Sequence, residues 1–276
     1  MIKTVIVGYG KMGRIRAEVI KQHPDLKLAG VYDTGDAYRG VDFDAVFVCT
    51  PNKFTPEIVI WALNQGKHVF CEKPPGRNLE DIRNILMAES DSNTILKFGF
   101  NHRYHGAVIE AKRIVDSGQL GKILWMRGIY GKSKSTGWRN DKDIAGGGIL
   151  LDQGIHMLDL FRLFCGDFQE AKSFLTGGEV EDNAFALLRN DRGQVAMLHS
   201  SSTHWKHVFS LDIFLEKGYT IISGILSSTR RYGSGEKLIV AQKQEGVEYG
   251  NPQEHITYFN QDDSWKLEVD DFVDCI

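Results

Sequence analysis

Three groups of residues have the types and spacing to do chemistry. The first is Gly8-Tyr9-Gly10-Lys11-Met12-Gly13, a G-x-G-x-x-G run. It follows an apolar strand-like stretch and opens a helical one, the context such a run needs. The first glycine permits a tight turn, the second lets the backbone approach a pyrophosphate, and the third lets the helix pack close to the strand. The pyrophosphate would sit on free N–H groups at the positive end of that helix. Asp33 stands 20 residues beyond Gly13, at the end of the second apolar run. A carboxylate there accepts hydrogen bonds from an adenosine ribose diol and repels a 2′-phosphate. Thr34, not an arginine, follows it. These residues point to NAD as cofactor, with NADP as the second choice.

The second group is Glu72-Lys73-Pro74, just past the fourth apolar run. Open parallel sheets bind ligands at the carboxyl ends of their strands, so Lys73 is expected to point at the cofactor crevice. A lysine that is partly desolvated and close to a cationic nicotinamide has its pKa pushed down, which suits acid–base work on an alcohol/ketone pair. Considered alone, a strand-end lysine is more often a solvated surface residue.

The third group runs from Gly146-Gly147-Gly148 through Asp152 to His156. Asp152 and His156 are four apart on a predicted helix and share a face, with Asp159 close by. A His–carboxylate pair suits a proton relay, Asp152 orienting or charging the imidazole. It would also suit a metal, but two ligands are too few and no third is evident, so no metal is expected. A purely structural pair is the alternative.

The surrounding elements must position these groups. Strands are expected at Thr4–Val7, 28–32, 45–49, 68–71 and 95–98, with helices at 13–20, 57–64 and 79–88. Strand–helix alternation of this kind implies a parallel sheet with helical crossovers. Near residue 120 the rhythm changes. A strand at 123–129, a polar loop to about 148 and a helix at 149–164 precede hairpin-like pieces, with turns at 190–193 and 216–218. The fold class expected is α/β: a dinucleotide-binding domain over 1–120, then an α/β domain over 121–276 with a large, mainly antiparallel open sheet and one covering helix. The stretch 265–276 reads as an amphipathic helix in which the chain stops without a cap, so a missing C-terminal segment is expected.

Bulk properties narrow the class. The 276 residues are 42% hydrophobic and 25% charged, with a net charge of −3. No basic block stands out, which argues against nucleic acid as the partner. No apolar run approaches the ~20 residues that span a bilayer. Four scattered cysteines, with no CxxC pair, read as reduced thiols in a cytoplasmic protein.

With GYGKMG, VCTPN at 48–52, CEKP at 71–74, GFNHRY at 99–104 and GGGILLDQGIHMLD at 146–159, the chain resembles the Gfo/Idh/MocA oxidoreductases. The resemblance covers nearly the whole chain. It implies a Rossmann domain followed by an α/β domain whose open sheet serves for homo-oligomerisation. It implies that Gly8, Gly10, Lys11 and Met12 line the dinucleotide and that Asp33 binds the adenosine ribose. Thr50, Pro51 and Asn52 run beside the cofactor, and Glu72 and Lys73 approach the nicotinamide ribose. Asn101 and Arg103 lie near the nicotinamide or substrate, Trp138 and Arg139 sit in a loop over either, and Asp152 and His156 hold substrate hydroxyls. Thr55 stands where many relatives carry a histidine, and many relatives continue past the end of this chain.

The reaction expected is hydride transfer between nicotinamide and a hydroxyl or keto carbon of a sugar, nucleotide sugar or polyol, with Lys73 and His156 at the reacting oxygen. Lys132, Lys134, Arg139 and Lys206 could pair with a substrate carboxylate or phosphate, or be solvated loop charges. Trp138 and Trp205 could stack on a sugar or simply pack. Three rivals stay open: a glycosidase using NAD transiently, a dinucleotide-binding regulator, and a silent subunit of an assembly.

Overall fold

A computed structural model describes residues 1–227, 232–244 and 250–276. The chain begins with β1 (Ile2–Val7), α1 (Lys11–Gln22), β2 (Leu26–Tyr32), β3 (Ala45–Val48), α2 (Thr55–Asn64), β4 (His68–Glu72), α3 (Leu79–Ser90) and β5 (Leu96–Gly99). The strands form a parallel sheet in the order β2-β1-β3-β4-β5. All four residues of β3 are fully buried, as an apolar run covered on both faces must be. Val5, Val46, Val48 and Val59 pack on one side of the sheet; Ile6, Phe47 and Phe70 pack on the other. Register aligns Val7 with Val48, and Val48 with Cys71. The turns after β1, β3 and β4, which carry Gly8, Thr50 and Lys73, therefore leave from one edge of the sheet. Strand order reverses at β1 and β3, where open α/β sheets hold their ligands.

The chain continues through α4 (Gly106–Asp116), β6 (Ile123–Gly131), α5 (Lys142–Ala145), α6 (Ile155–Cys165), β7 (Glu170–Gly177), β8 (Glu181–Arg189), β9 (Val195–Ser201), β10 (Val208–Leu215), β11 (Gly218–Ile225), β12 (Tyr232–Gln242), β13 (Glu254–Phe259) and α7 (Ser264–Asp274). Strands β6 to β13 form a second sheet, β13-β12-β11-β10-β6-β9-β8-β7. Its pairs are antiparallel except β6 with β9. The turns expected at 190–193 and 216–218 join β8 to β9 and β10 to β11. Residues alternate with the pleat. Met126, Ala196 and Leu198 face a buried core, and Trp125, Met197, Phe185 and Leu187 face outward and are exposed.

Two helices cover the inner face where one was expected: Met157, Leu160 and Phe161 of α6, and Ala107, Val108 and Ala111 of α4. Packing divides the chain into two units. The first is Met1–Asn101 with Gly137–Gly147 and Trp265–Ile276; the second is His102–Thr136 with Gly148–Ser264. This differs from a single break near residue 120. Helix α4 buries its apolar face on the second sheet, and the 137–147 segment is hydrogen-bonded into the first unit. There Asn52 Nδ2 donates to Ala145 O at 2.7 Å and Arg77 Nη1 donates to Asp143 O at 3.2 Å. Helix α7, read as part of the second domain, puts Val269 and Phe272 into the core of the first unit beside Phe47 and Phe70.

Candidate active site

In the first unit the three glycines are set apart by what a side chain would meet. Gly8 has φ +93°, and a Cβ there would lie 2.6 Å from the carbonyl of Cys49. A Cβ on Gly13 would lie 2.0 Å from Gly8 O. A Cβ on Gly10 would meet nothing within 4 Å. Turn, close helix packing and open approach thus fall on the glycines expected to provide them. Helix α1 has no acidic residue in its first turn, so its positive end, with Lys11 and Met12, is left to an anion.

Asp33 is exposed at the end of β2, and its Oδ1 accepts the Tyr9 N–H at 2.7 Å, tying the glycine turn to the neighbouring strand. With Thr34, Tyr38, Arg39, Thr50 and Pro51 it lines a cavity of about 370 Å³. The glycine turn and this cavity, with a carboxylate at its rim, fit the pyrophosphate and adenosine ribose of NAD. Arg39 is a cation that the reading of residue 34 did not find. Glu57 at 2.7 Å and Asp36 at 3.2 Å hold its guanidinium. Thr50 Oγ1 lies 2.9 Å from Thr55 Oγ1, so the threonine found in place of histidine is buried and braces its neighbour. Asn52 is also buried, and its amide is used on Ala145.

Glu72 ends β4, immediately before Lys73. Its carboxylate turns into the unit and accepts from Arg16 Nε at 2.7 Å, while Arg16 Nη2 donates to Glu268 Oε2 of α7 at 2.6 Å. The guanidinium also lies over the rings of Phe70 and Trp265. Burial works against the charge of Arg16, but Glu72 and Glu268 more than offset it and hold the group above its usual value. Burial, reinforced by Glu72 and opposed by Arg16, pushes Glu268 up to about 7. Lys73, half-buried, follows Glu72 directly through a chain whose next bond, Lys73–Pro74, is cis. Asn101 is buried, and Arg139 lies 4.5 Å from the centre of the Trp138 ring.

In the second unit Gly148, the last glycine of its run, admits a carboxylate. Glu181 of β8 accepts from Gly148 N at 2.8 Å and Leu150 N at 3.0 Å, and a Cβ on Gly148 would lie 1.9 Å from Glu181 O. From this cap the chain makes a wide π-helical turn over Leu150–Gly154 before α6. Asp152 lies in that turn and His156 in the first turn of α6. The His156 ring is buried and stacks on His102, with centroids 3.8 Å apart and 17° between planes. His102 Nε2 lies 3.1 Å from the Tyr130 hydroxyl. Arg103 forks onto Asp159 with bonds of 2.7 and 2.5 Å, so Asp159 is taken by the GFNHRY segment. Asp152 is paired with Lys132, which is 9% exposed. Sequence reading offered Lys132 only as one of several loop cations; Lys134 and Lys206 are the exposed ones. Behind His102, the His105 ring sits 2.7 Å from Glu236, both buried. Burial opposes the Glu236 charge, but His105 and the N–H groups of Ala107 and Leu226 hold its carboxyl below the usual range. The arrangement offers buried imidazole and carboxylate groups for proton transfer and for hydroxyl binding.

Comparison with known proteins places this geometry in a class. Residues 37–100 match the model of the oxidoreductase family with an NAD-binding Rossmann fold, and residues 108–221 match the GFO/IDH/MocA C-terminal domain. The chain belongs to the Gfo/Idh/MocA oxidoreductase family. Levoglucosan dehydrogenase of Pseudarthrobacter phenanthrenivorans is 36% identical over 177 residues, 59% of this chain and 45% of that protein. The match thus spans less than half of that relative. Myo-inositol 2-dehydrogenase of Thermotoga maritima is 26% identical over 257 residues, 81% of this chain and 76% of that protein. Among solved structures, levoglucosan dehydrogenase in complex with NADH and levoglucosan superposes with a TM-score of 0.86 at 21% identity. It covers 98% of this chain and 88% of that one, a likeness of fold.

Proposed function

We propose that this chain is an NAD-dependent oxidoreductase that moves a hydride between nicotinamide and a hydroxyl-bearing or keto carbon of a sugar, nucleotide sugar or polyol. The observation that carries the reading is the open Gly10 between two glycines that admit no side chain, with Asp33 beside it. Bound NAD would supply the hydride acceptor. Lys73 and His156 are the acid–base groups, and Asp152 holds substrate hydroxyls. Asn101, Trp138, Arg139, Thr50, Pro51, Asn52 and Arg103 are assigned the roles beside cofactor or substrate that the family resemblance implies, and Asn52 also holds the 142–145 helix. Glu72 acts by anchoring the strand end before Lys73, through Arg16. Sugar and polyol names among the relatives support the substrate class. Titration with NADH and NADPH, followed by protein fluorescence, tests the cofactor assignment. Tighter NADH is expected, and failure of both to bind overturns the reading.

A homo-oligomer built on the open face of the second sheet completes the proposal. Trp125 stacks on Phe214 there, and Phe174 is 80% exposed among Phe185, Leu187 and Met197. Such a contiguous apolar face marks an interaction surface. Light scattering that gives a monomer mass would remove it. Among the described residues no helix is long and apolar enough to cross a membrane. The cytoplasm, with its reducing poise and its nicotinamide pool, is the compartment proposed.

A further inference from the structure

Lys132 stands one residue past the end of β6, and its backbone is pinned on both sides. Its N–H donates to Ser201 O at 2.8 Å, and its carbonyl accepts from His204 N at 3.0 Å. The preceding Gly131 has no room for a side chain, since a Cβ would lie 2.8 Å from the His204 ring. The lysine side chain runs to Asp152 and is 11% exposed. An ammonium carries three N–H donors. Among the described residues Asp152 is the one acceptor its Nζ reaches. Buried donors left without an acceptor are costly, so this ammonium is built to meet oxygen atoms from outside the unit.

We propose that Lys132 and Asp152 form a subsite for two neighbouring hydroxyls of an uncharged substrate, Lys132 donating to one oxygen while Asp152 accepts the proton of the next. The inference rests on the oxidoreductase reading above and narrows its substrate class. The pair presents a donor and an acceptor side by side, the complement of a vicinal diol. A carboxylate or phosphate drawn to Lys132 meets the Asp152 carboxylate beside it, a repulsion that a neutral hydroxyl does not suffer. Lys134 and Lys206, the other cations considered for an acidic substrate, are exposed. Asp152 precedes His156 by one helical turn. The diol it holds therefore lies next to the carbon whose hydroxyl His156 serves.

The test is calorimetric titration of the NADH-saturated protein with levoglucosan, myo-inositol and methyl glucoside. It continues with singly deoxygenated analogues of the tightest binder, and with D-glucuronate. Wild type should bind a neutral diol better than glucuronate and lose about tenfold or more on the deoxy analogue that lacks the oxygen Lys132 meets, the scale of a charge-assisted hydrogen bond. Lys132→Met should bind the parent diol about tenfold more weakly, yet bind that deoxy analogue as wild type does, with NADH affinity unchanged. Lys132→Gln, which keeps an N–H donor, should recover part of the loss, and it carries the same comparison if the methionine variant does not fold. Equal losses on the parent and every analogue would mean a structural role and overturn the subsite, as would preference for glucuronate or wild-type affinity in Lys132→Met. Failure to bind any of the neutral diols also overturns it, whatever the nicotinamide titration gives. Diol binding without NADH formation from NAD would instead sink the oxidoreductase reading and leave the subsite standing.

Discussion

The first unit builds its candidate cofactor turn out of backbone, and the second builds its candidate substrate cluster out of side-chain pairs. Around Gly8, Gly10 and Gly13 the decisive quantity is the space a Cβ would need. Around α6 it is the matching of charges: Lys132 with Asp152, Arg103 with Asp159, and Glu181 with two N–H groups. A backbone site fails by steric collision or by blocked approach. A paired site fails when one partner is removed and the other stays buried and uncompensated.

The largest effect expected is on chemistry. Lys73→Ala should lower turnover by about 10²–10⁴-fold, the range of a lost acid–base group, with NADH affinity nearly unchanged. Stopped-flow and fluorescence titration on one sample separate the two quantities, and wild-type turnover would remove Lys73 from the mechanism. Next comes a contrast inside the glycine turn. Gly13→Ala drives a methyl against Gly8 O and should cost about 1–3 kcal/mol or more in urea unfolding. Gly10→Ala has open space and an ordinary φ of −69°, so it should fold like wild type while binding NADH about tenfold more weakly. Equal stabilities for the two variants would erase the division of roles among the glycines.

Loss of charge matching should be smaller and dependent on pH. Glu268 titrates at about 7 in the folded chain, above the ordinary carboxyl value of 4.5. The folded state thus holds a proton that the unfolded chain releases earlier. Stability from this group is fully present below pH 4.5 and is lost as pH rises through about 7. Glu268→Gln should remove that slope, so unfolding midpoints at pH 5 and pH 8 should lie closer together than in wild type. An unchanged slope would mean that Glu268 does not carry it. Smallest for the isolated fold is Phe174→Glu on the exposed sheet face, which should leave unfolding nearly unaltered while shifting light-scattering mass toward a monomer.

The same division explains what could be read in the sequence. Glycine requirements are local, so the turn, Asp33 and the strand–helix rhythm of the first sheet were legible from spacing alone. Helix α4 was not, because it starts at His105 without a capping side chain and so shows no start signal. Pairs between distant elements left no trace either. Lys132 and Asp152 are brought together only when β6 and α6 pack, and Glu181 meets the glycine run from a strand that follows it. The resemblance implies a place for Glu72 near the nicotinamide ribose; its bond to Arg16 was not legible, because Arg16 lies on another element, with no periodic signal to reveal it.

Arg16 and Glu268, 252 residues apart, also set an order of events. The first unit holds β1 to β5, yet its buried cation and the ring of Phe272 against Phe47 and Phe70 wait for α7 to be synthesised. A nascent N-terminal unit leaving the ribosome would carry Arg16 and Glu72 without their third member, with an apolar sheet face still uncovered. Its contacts have high sequence separation, which slows folding and prolongs the exposure of that face. The eleven-residue helix α7 is thus a latch on a sheet whose strands precede it by some two hundred residues.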